Sequence, residues 1–525
     1  MNQYLAITLG PIYATLSQAR KTRELWAGSF LFSQMMELLI DKIGEDKVIL
    51  PKRVQAKKAE RYGAGIYNDR LFAEAGTLSD DAIETLIDEC LEALAAKLCP
   101  EGASPDASFW KQYLRIEWVR LSLANIQNGH LIKAFSPYLD TAECRQPFFA
   151  EEPVQNAFLQ LLDNPYTTSI ASFLKGSSRG VYAKMIEPRG LFPSTFDFAT
   201  YELFQYDASG YQNLLQLASI TSDSGDEQMD KSIQQFYELL GSDKPENVFK
   251  TVATDYHRYF CIVHADGDRI GATIETLADR DAYSGFSEKL GQYAIQAAGI
   301  INDYGGKPVY IGGDDLLFFA PVCVRKGDTT VSIFQLISAL DKAFQELGLP
   351  SSPSLSFGLT FTYHKYPLFE AYSASYKQLA FRAKKVAWGP KNKKNAVSFR
   401  LIKHSGSWYE GILTKTQLQA LSDAEKALRQ ADRDLLSSII YKLDTLEPLL
   451  KQLDSEGRLT TQLHDLFHNF FNEPIHRRNQ RQLDLLEHLT DIVFRQSATV
   501  DETPLDRSAN LYATLRMLKF ITDKP

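Results

Sequence analysis

The sequence has few cysteines and no long apolar run, and each shortage excludes a class of protein. Its 525 residues include five cysteines, none in a C-x-x-C pair. Neither a disulfide framework nor a cysteine zinc site is therefore expected. No stretch approaches the roughly 18 to 20 apolar residues of a membrane helix, and the N-terminus lacks the basic start of a secretion signal. These absences predict a cytoplasmic protein with no membrane partner.

Positive charge is not in excess either. Lysine and arginine total 57 against 65 aspartate and glutamate residues, a net charge of -8. This balance argues against a protein that coats nucleic acid, so any RNA contact must be local or shared with partner subunits. Glycine motifs for nucleotides are also missing: no P-loop occurs, and Gly63-Ala64-Gly65 lacks the third glycine of a dinucleotide fingerprint.

The length predicts three or four domains. A short apolar strand at residues 4–9 precedes a helical pattern that reaches about residue 43, and helical spacing returns over 79–128. Between about 250 and 405, buried strands and helices follow the order β-α-β-β-α-β, which is that of a ferredoxin-like unit. From 414 onward the spacing is helical. The pattern predicts an α/β (α+β) fold.

Three aspartates in the second α/β region are the strongest signal for chemistry. Asp266 ends one buried strand, and Asp314 and Asp315 lie at the tip of a later hairpin, after Gly312 and Gly313. Because neighbouring strands of one sheet bring these ends together, the carboxylates can share a divalent cation such as Mg²⁺ or Mn²⁺. Successive strand residues point to opposite faces, so Asp314 and Asp315 are not expected to be equivalent ligands.

An ordinary hairpin turn would also explain glycine and aspartate at this position, since both are favoured turn residues. The flanking segments VYI and LLFF, and the preceding FCIVHADGDRIG, favour a nucleotide site instead. The glycines lack β-carbons, which lets a triphosphate approach the backbone closely.

These residues carry a family resemblance. The segments HADGDRIG, YIGGDDLLFF and SFGLTFTYHKYPLFEAYSASYKQLAFRAKK resemble the catalytic palm of the large polymerase-like subunit of type III CRISPR effector complexes, a relative of GGDEF cyclases. The opening ITLGPIYATLSQARKTRELWAGSFLFS resembles the start of that subunit's first, degenerate palm in the Cmr-type (III-B) branch. Together the two blocks cover about 200 residues.

The resemblance implies a protein with two ferredoxin-like palms, helical insertions and a C-terminal helical domain. It divides the chain into a first palm at 1–165, a connecting region without a zinc finger at 166–250, a catalytic GGDD palm at 251–410 and a helical domain at 411–525.

The resemblance also implies an activity. ATP would be converted, after target-RNA activation, into a cyclic oligoadenylate with loss of pyrophosphate, inside a cytoplasmic complex with other Cmr-type subunits and guide RNA. Asp266 and Asp314 match metal ligands of the family, Asp315 matches the second hairpin carboxylate, and the carbonyl of Gly267 is a further candidate ligand. Some members of the family join ATP to S-adenosylmethionine, and that linear adduct is the alternative product.

Two departures from the family bear on activity. The first palm begins at residue 4, so the N-terminal HD nuclease of most members is expected to be missing, and the pair His464-Asp465 is interpreted as a chance occurrence on a helix. The segment SFLKGSSRGVYAKM, where many members carry a cysteine zinc finger, has no cysteine, so no zinc is expected.

Two basic segments are candidates for binding phosphate. Six cations follow the last palm helix: Arg382, Lys384, Lys385, Lys391, Lys393 and Lys394. Lys385 and Lys394 are the nucleotide-binding candidates among them, although such a run is often a solvated face. Near the first palm, Arg20 and Ser29 are candidates for the facing nucleotide pocket. A third cluster, His476 to Arg481, is interpreted as a solvated helix end.

Two rival functions stay open at this point. An inactive scaffold would have no electrostatic reason to keep three converging carboxylates, and a stand-alone diguanylate cyclase is disfavoured by the GGDD hairpin and the extra palm.

Overall fold

The computed structural model describes residues 2–53, 63–99, 104–144, 180–186, 192–220, 226–242, 248–389, 392–432 and 434–523. The strands are β1 Asn2–Gly10, β2 Val48–Leu50, β3 Arg70–Glu74, β4 Arg115–Leu123, β5 Tyr259–Asp268, β6 Lys307–Ile311, β7 Leu316–Pro321, β8 Cys323–Lys326, β9 Thr329–Ser332, β10 Ser354–Tyr363, β11 Val386–Ala387, β12 Ala396–Ile402, β13 Trp408–Thr414, β14 Thr499–Val500 and β15 Thr503–Pro504. The α-helices in the first half are α1 Ile12–Ser17, α2 Thr22–Ile43, α3 Asp80–Leu98, α4 Ser108–Tyr113, α5 His130–Glu143, α6 Ala183–Ile186, α7 Thr195–Tyr206, α8 Ala208–Leu217 and α9 Asp226–Leu240. Those in the second half are α10 Ile270–Ile274, α11 Arg280–Tyr304, α12 Ile333–Gln345, α13 Leu368–Gln378, α14 Lys415–Leu428, α15 Leu435–Thr445, α16 Glu447–Ser455, α17 Leu459–Phe470, α18 Pro474–Arg478, α19 Gln480–Arg495 and α20 Arg507–Ile521.

The first sheet has the strand order β2-β3-β1-β4, with every neighbouring pair antiparallel. This is the order of a ferredoxin-like fold, in which the first and third strands lie at the centre. The middle strand β1 is buried from Tyr4 to Leu9, as its apolar run predicts. Helix α2 buries the apolar side chains that the sequence placed on one face, including Met35, Met36 and Leu39.

The helical pattern predicted for 79–128 is wrong over its last part. Helices α3 and α4 occupy 80–98 and 108–113, but 115–123 is the edge strand β4, with Trp118 opposite Ile7 of β1. Residues 115–121 are all half-buried and show no clear alternation, so pairing with the central strand β1, rather than the local pattern, makes this segment a strand.

The second sheet has the order β13-β12-β10-β5-β7-β6. Its β10-β5-β7-β6 part repeats the ferredoxin-like order, which confirms the predicted fold class. The parallel strand β12 and the antiparallel strand β13 extend the sheet at the β10 edge. The proposed boundary between 410 and 411 falls inside β13, so a palm defined by this sheet extends to Thr414.

The two palms contact each other directly. The backbone N–H of Ile311 donates to the carbonyl of Gly65 at 2.7 Å, and the N–H of Lys52 donates to Ser287 Oγ at 2.8 Å. A single apolar core runs through both palms and most of the C-terminal helices. The two palms are therefore held together by shared apolar packing.

The C-terminal helices pack against the second palm, and a short hairpin from this region returns to it. Strand β14 pairs with β11, which lies within the basic segment that follows the last palm helix. No helix among the described residues is long and apolar enough to cross a membrane.

Candidate functional site

The carboxylate of Asp266 lies at the end of the central strand β5, where the strand leaves the apolar core. His264 precedes it by two residues, so both side chains lie on the same face of the sheet and line the cleft between the palms. The imidazole of His264 is buried, and its Nδ1 lies 2.8 Å from Ser375 Oγ. Burial lowers the pKa of His264 to about 3, so this ring is neutral at physiological pH.

A tight turn joins β6 and β7 and carries the hairpin aspartates. Gly313 has a φ of +92°, a left-handed conformation that favours glycine. The N–H of Gly312 donates to the carbonyl of Asp315 at 2.9 Å. This closed turn holds Asp314 and Asp315 at the tip, beside the end of β5.

Asp314 packs against the backbone of Gly267. A β-carbon built on Gly267 would lie 2.5 Å from Asp314 Oδ2, so only glycine fits this approach. Burial, and next the negative charge of Asp266, raise the pKa of Asp314 to about 6. The ammonium of Lys384 and the backbone N–H groups of Asp314 and Gly267 lower this pKa, but they do not offset the repulsion.

Asp315 lines the cleft, whereas Asp314 does not. Both lie in the turn between β6 and β7 rather than on a strand, so strand alternation is not the cause of this difference. The side chain of Asp315 is exposed. Its position deep between the two sheets, together with the charges of Asp266 and Asp314, nevertheless holds the pKa of Asp315 well above its usual range. A bound cation would relieve this repulsion.

One lysine connects the carboxylates. The ammonium of Lys384 lies 2.8 Å from Asp266 Oδ2 and 2.9 Å from Asp268 Oδ1, and it donates to the carbonyl of Gly267 at 2.5 Å. Lys384 belongs to the basic segment in which the sequence predicts Lys385 and Lys394 as the nucleotide-binding residues. Its position shows which of the described cations in that segment reaches the carboxylates.

Asp268 is an internal anchor. Its side chain is 1% exposed. It accepts hydrogen bonds from Ser354 Oγ, Ser356 Oγ and the backbone N–H of Asn395. Asp268 thus ties the end of β5 to β10 and to the start of β12.

Among the described residues, no group of three or more histidine, cysteine, aspartate or glutamate side chains is arranged to hold a metal ion. Mg²⁺ in nucleotide sites is bound by one or two carboxylates, waters and substrate phosphates, so such a group is not required. Asp266 and the Gly267 carbonyl already contact one cation, the Lys384 ammonium. These oxygens therefore fit the donor set of a Mg²⁺ or Mn²⁺ ion.

A cleft of about 700 Å³ lies between the two palms. Its second-palm wall includes His264, Asp266 and Asp315, and its first-palm wall includes the side chains of Ser29, Asp69, Arg115, Glu117 and Glu143. Tyr13 of α1 and Tyr376 of α13 face each other at the rim, with ring centroids 6.0 Å apart. This volume is within the usual range for a small-molecule site.

The remaining candidates are distributed unevenly. Ser29 lines the cleft, whereas Arg20 is exposed and does not line it. Lys385 is exposed, with its ammonium 3.9 Å from Asp501 on the β14–β15 turn. Lys394 lies in the turn before β12, also away from the lining, and Lys391 lies outside the described residues.

Neither the His464-Asp465 pair nor the basic cluster from His476 to Arg481 forms a site in the described structure. His464 is exposed, with its Nδ1 3.0 Å from Glu487. His476 differs from the expected solvated helix end, because it is buried and its Nε2 lies 3.1 Å from Ser438 Oγ.

Sequence reasoning missed the first-palm carboxylates and the rim tyrosines. No motif marks Asp69, Glu117 or Glu143, since they come from different elements that meet only in the folded sheet. His264 carried a usable signal, because it precedes Asp266 by two residues on one strand.

The fold and the site define a protein with two ferredoxin-like palms, of which the second carries an acidic hairpin beside the cleft. Residues 259–398 match the family model described as Cas10/Cmr2, second palm domain, and residues 4–97 match the one described as CRISPR-associated protein Cmr2, N-terminal. The chain thus carries both domains of the Cas10/Cmr2 family, which confirms the resemblance stated above.

One curated relative and two solved structures agree with this assignment. The Cmr2 subunit of the CRISPR Cmr system of Pyrococcus furiosus is 25% identical in an alignment that covers 30% of this chain and 20% of the relative. Two structures of the type III-B Cmr-beta complex, one bound to cognate target RNA and one in the apo state, match 98% of this chain at 11% identity. Their TM-scores are 0.57 and 0.58, with 83% and 81% of those chains covered. At that identity the likeness concerns the fold.

Proposed function

We propose that this chain is a metal-dependent nucleotidyltransferase that uses ATP, and that it works as the large subunit of a Cmr-type complex with guide RNA and target RNA. The observation that carries the proposal is the cleft between the palms, into which Asp266 and Asp315 open from the end of β5 and the GGDD turn. The Cmr-type partners are supported by the two matched domains and by the fold shared with the Cmr-beta chains.

Asp266, Asp314 and the Gly267 carbonyl would hold the Mg²⁺ or Mn²⁺ ion. When bound, this cation neutralises triphosphate charge and makes an attacking hydroxyl more acidic. In the reaction a 3′-hydroxyl oxygen bonds to the α-phosphorus of ATP, the bond to the β-phosphate oxygen breaks, and pyrophosphate and a proton leave.

The protein's own residues have distinct parts in this reaction. Gly312 and Gly313 are buried and do not line the cleft, so their part is to shape the turn that carries Asp314 and Asp315, rather than to contact the phosphates as the sequence predicts. Lys384 supplies a positive charge beside Asp266. The rim tyrosines offer flat aromatic surfaces to a base. Ser29 lies on the first-palm wall of the cleft, where the molecule that supplies the attacking hydroxyl would bind.

Two acceptors are candidates. The family resemblance favours a second ATP, which leads to cyclic oligoadenylate. The charge of the cleft favours S-adenosylmethionine. The described lining residues carry five acidic side chains (Asp69, Glu117, Glu143, Asp266 and Asp315) and a single guanidinium, Arg115. Arg70 pairs with Glu143 and Lys384 pairs with Asp266, each at 2.8 Å, and an acidic excess remains after these two pairs.

The three first-palm carboxylates are the basis of this second candidate. They would repel the triphosphate of an acceptor ATP, whereas the sulfonium and ammonium groups of S-adenosylmethionine would be attracted. Such an acceptor carries no triphosphate and cannot act as a donor, so the product would be one linear adduct.

The test of the proposal is replacement of both Asp314 and Asp315 by Ala in the full complex. Loss of metal stabilisation should reduce pyrophosphate release from ATP by at least about 100-fold, with assembly and RNA binding unchanged. Comparable pyrophosphate release by the variant would contradict the proposal. If neither the wild-type complex nor the variant releases any, with or without S-adenosylmethionine, the scaffold alternative is favoured.

Products resolved by mass distinguish the acceptors. The activated complex receives ATP alone or ATP with S-adenosylmethionine. Oligoadenylate from ATP alone supports the first acceptor, and a single adduct formed only from the mixture supports the second.

A further inference from the structure

The ammonium of Lys384 lies where the proposed metal ligands converge. We propose that Lys384 is the resident counter-ion of the metal site: it holds Asp266 and the Gly267 carbonyl in place, and a divalent cation can bind these oxygens only when the lysine leaves them. This inference rests on the proposed function, because it assumes that these oxygens are metal ligands.

The contacts of Lys384 resemble those of a bound cation. Its Nζ lies within 2.9 Å of three oxygens that belong to the consecutive residues Asp266, Gly267 and Asp268. The Lys384 side chain is only 12% exposed, whereas that of Asp266 is 44% exposed. A buried ammonium with three oxygen partners is a much stronger arrangement than a surface ion pair.

Asp268 gives Lys384 a partner that it can keep. The carboxylate of Asp268 is buried and is held by three further donors, so it stays in place when the Asp266 contact breaks. Lys384 therefore does not become an unpaired buried charge, whose cost would block the exchange. The buried pair with Asp268 keeps the ammonium next to the site.

The backbone on both sides of Lys384 is held, so the exchange involves the side chain. The N–H of Lys384 donates to the carbonyl of Leu379 at 2.9 Å, and the carbonyl of Lys385 accepts from Asp501 at 3.3 Å. Strand β11 then pairs with β14. Rotation of a lysine side chain requires no rearrangement of these elements.

The consequence is coupling between metal and nucleotide. Without nucleotide, a divalent cation competes with Lys384 for Asp266 and Gly267, which weakens its binding. A triphosphate offers the ammonium new oxygen partners, so nucleotide and metal favour each other's binding.

The experiment measures Mn²⁺ binding to the full-length chain in the absence of nucleotide, from the electron paramagnetic resonance signal of free Mn²⁺. Lys384→Met removes the charge and keeps the length of the side chain, and it should bind Mn²⁺ about fivefold more tightly than the wild type. Lys385→Met is the matched control, since this exposed neighbour contacts Asp501 instead, and its affinity should be unchanged.

A second variant covers the case in which Lys384→Met fails to fold because Asp268 is left unpaired. Asp268→Asn with Lys384→Met removes both charges and keeps an acceptor for the serine and backbone donors, and it should show the same tighter binding. A larger Mn²⁺-induced rise in Tm than in the wild type is the second readout.

Two outcomes overturn the inference. Equal or weaker Mn²⁺ affinity in the folded variants, with binding by the wild type intact, removes the counter-ion role and leaves the proposed function standing. No Mn²⁺ binding by any form, even with a non-hydrolysable ATP analogue present, overturns both.

Discussion

At the scale of single residues, the site depends on a close approach between Gly267 and Asp314. The Cβ of Asp314 lies 2.8 Å from the position that a β-carbon on Gly267 would occupy. Because Gly267 has no side chain, the Asp314 side chain can lie directly against its backbone.

Gly267→Ala should consequently move the Asp314 carboxylate and reduce nucleotidyl transfer by about 100-fold, the order expected for a displacement near 1 Å. Gly271→Ala is the control, because its β-carbon would have no neighbour within 4 Å. Pyrophosphate release and thermal unfolding are measured for both. Equal activity of the two variants would show that the approach is not required.

The raised pKa of Asp314 makes stability depend on pH. Its pKa is about 6 in the folded protein and about 3.9 in an unfolded chain. Between these values only the folded state holds the proton. The stabilising contribution is therefore fully present below about pH 4 and is lost as pH rises through about 6.

In the presence of EDTA, Asp314→Asn should increase the free energy of unfolding by about 1–3 kcal/mol at pH 7.5, because it removes the cost of burying a charge and the repulsion with Asp266. At pH 4.5 the gain should shrink, since the wild-type carboxyl is then protonated. Urea unfolding at both values tests this, with the exposed Asp328→Asn as control. An equal gain at both pH values would contradict the assigned pKa.

At the scale of elements, buried polar contacts join the C-terminal helices to the second palm. Glu425 of α14 is fully buried, accepts hydrogen bonds from the N–H and hydroxyl of Ser332 before α12, and pairs with Arg429 at 2.8 Å. Helix α14 is thereby attached to the β8–β9 hairpin through one carboxylate.

Glu425→Ala should lower the free energy of unfolding by about 3 kcal/mol, since it leaves the Arg429 guanidinium and the Ser332 donors without that acceptor. Glu447→Ala breaks an exposed pair with Lys451 and should cost less than about 1 kcal/mol. Denaturant unfolding compares the two. Similar small losses would mean that the attachment of α14 rests on apolar packing.

At the scale of the whole molecule, the docking of two palms creates the cleft, and each palm contributes one wall. Tyr13 comes from the first palm and Tyr376 from the second, and both rings are accessible, at 57% and 39% exposure. Apolar rings left open at the rim of a cleft fit a stacking role better than a role in stability.

Tyr13→Ser should weaken binding of a non-hydrolysable ATP analogue about tenfold through loss of stacking, with little change in Tm. Tyr441→Ser is the matched control, because this tyrosine is 74% exposed on α15, outside the cleft lining. Isothermal titration calorimetry measures both affinities. If the Tyr13 variant binds the ATP analogue as tightly as the wild type does, Tyr13 is not part of the nucleotide site.

The sequence by itself determined the second ferredoxin-like unit, the position of Asp266 at a strand end and the GGDD turn, whereas the first unit followed only from the family resemblance. These features have local signals, since apolar runs, strand alternation and glycine in a turn depend on neighbours within a few residues.

The tertiary structure alone decided which distant side chains meet. Lys384, rather than Lys385 or Lys394, contacts the carboxylates, because the fold brings the end of β5 to Lys384 and the β14–β15 turn to Lys385. The acidic first-palm wall, the strand at 115–123 and the C-terminal hairpin also lack a reliable local signal. They depend on pairing between segments far apart in the chain, where packing and hydrogen bonding override local preference.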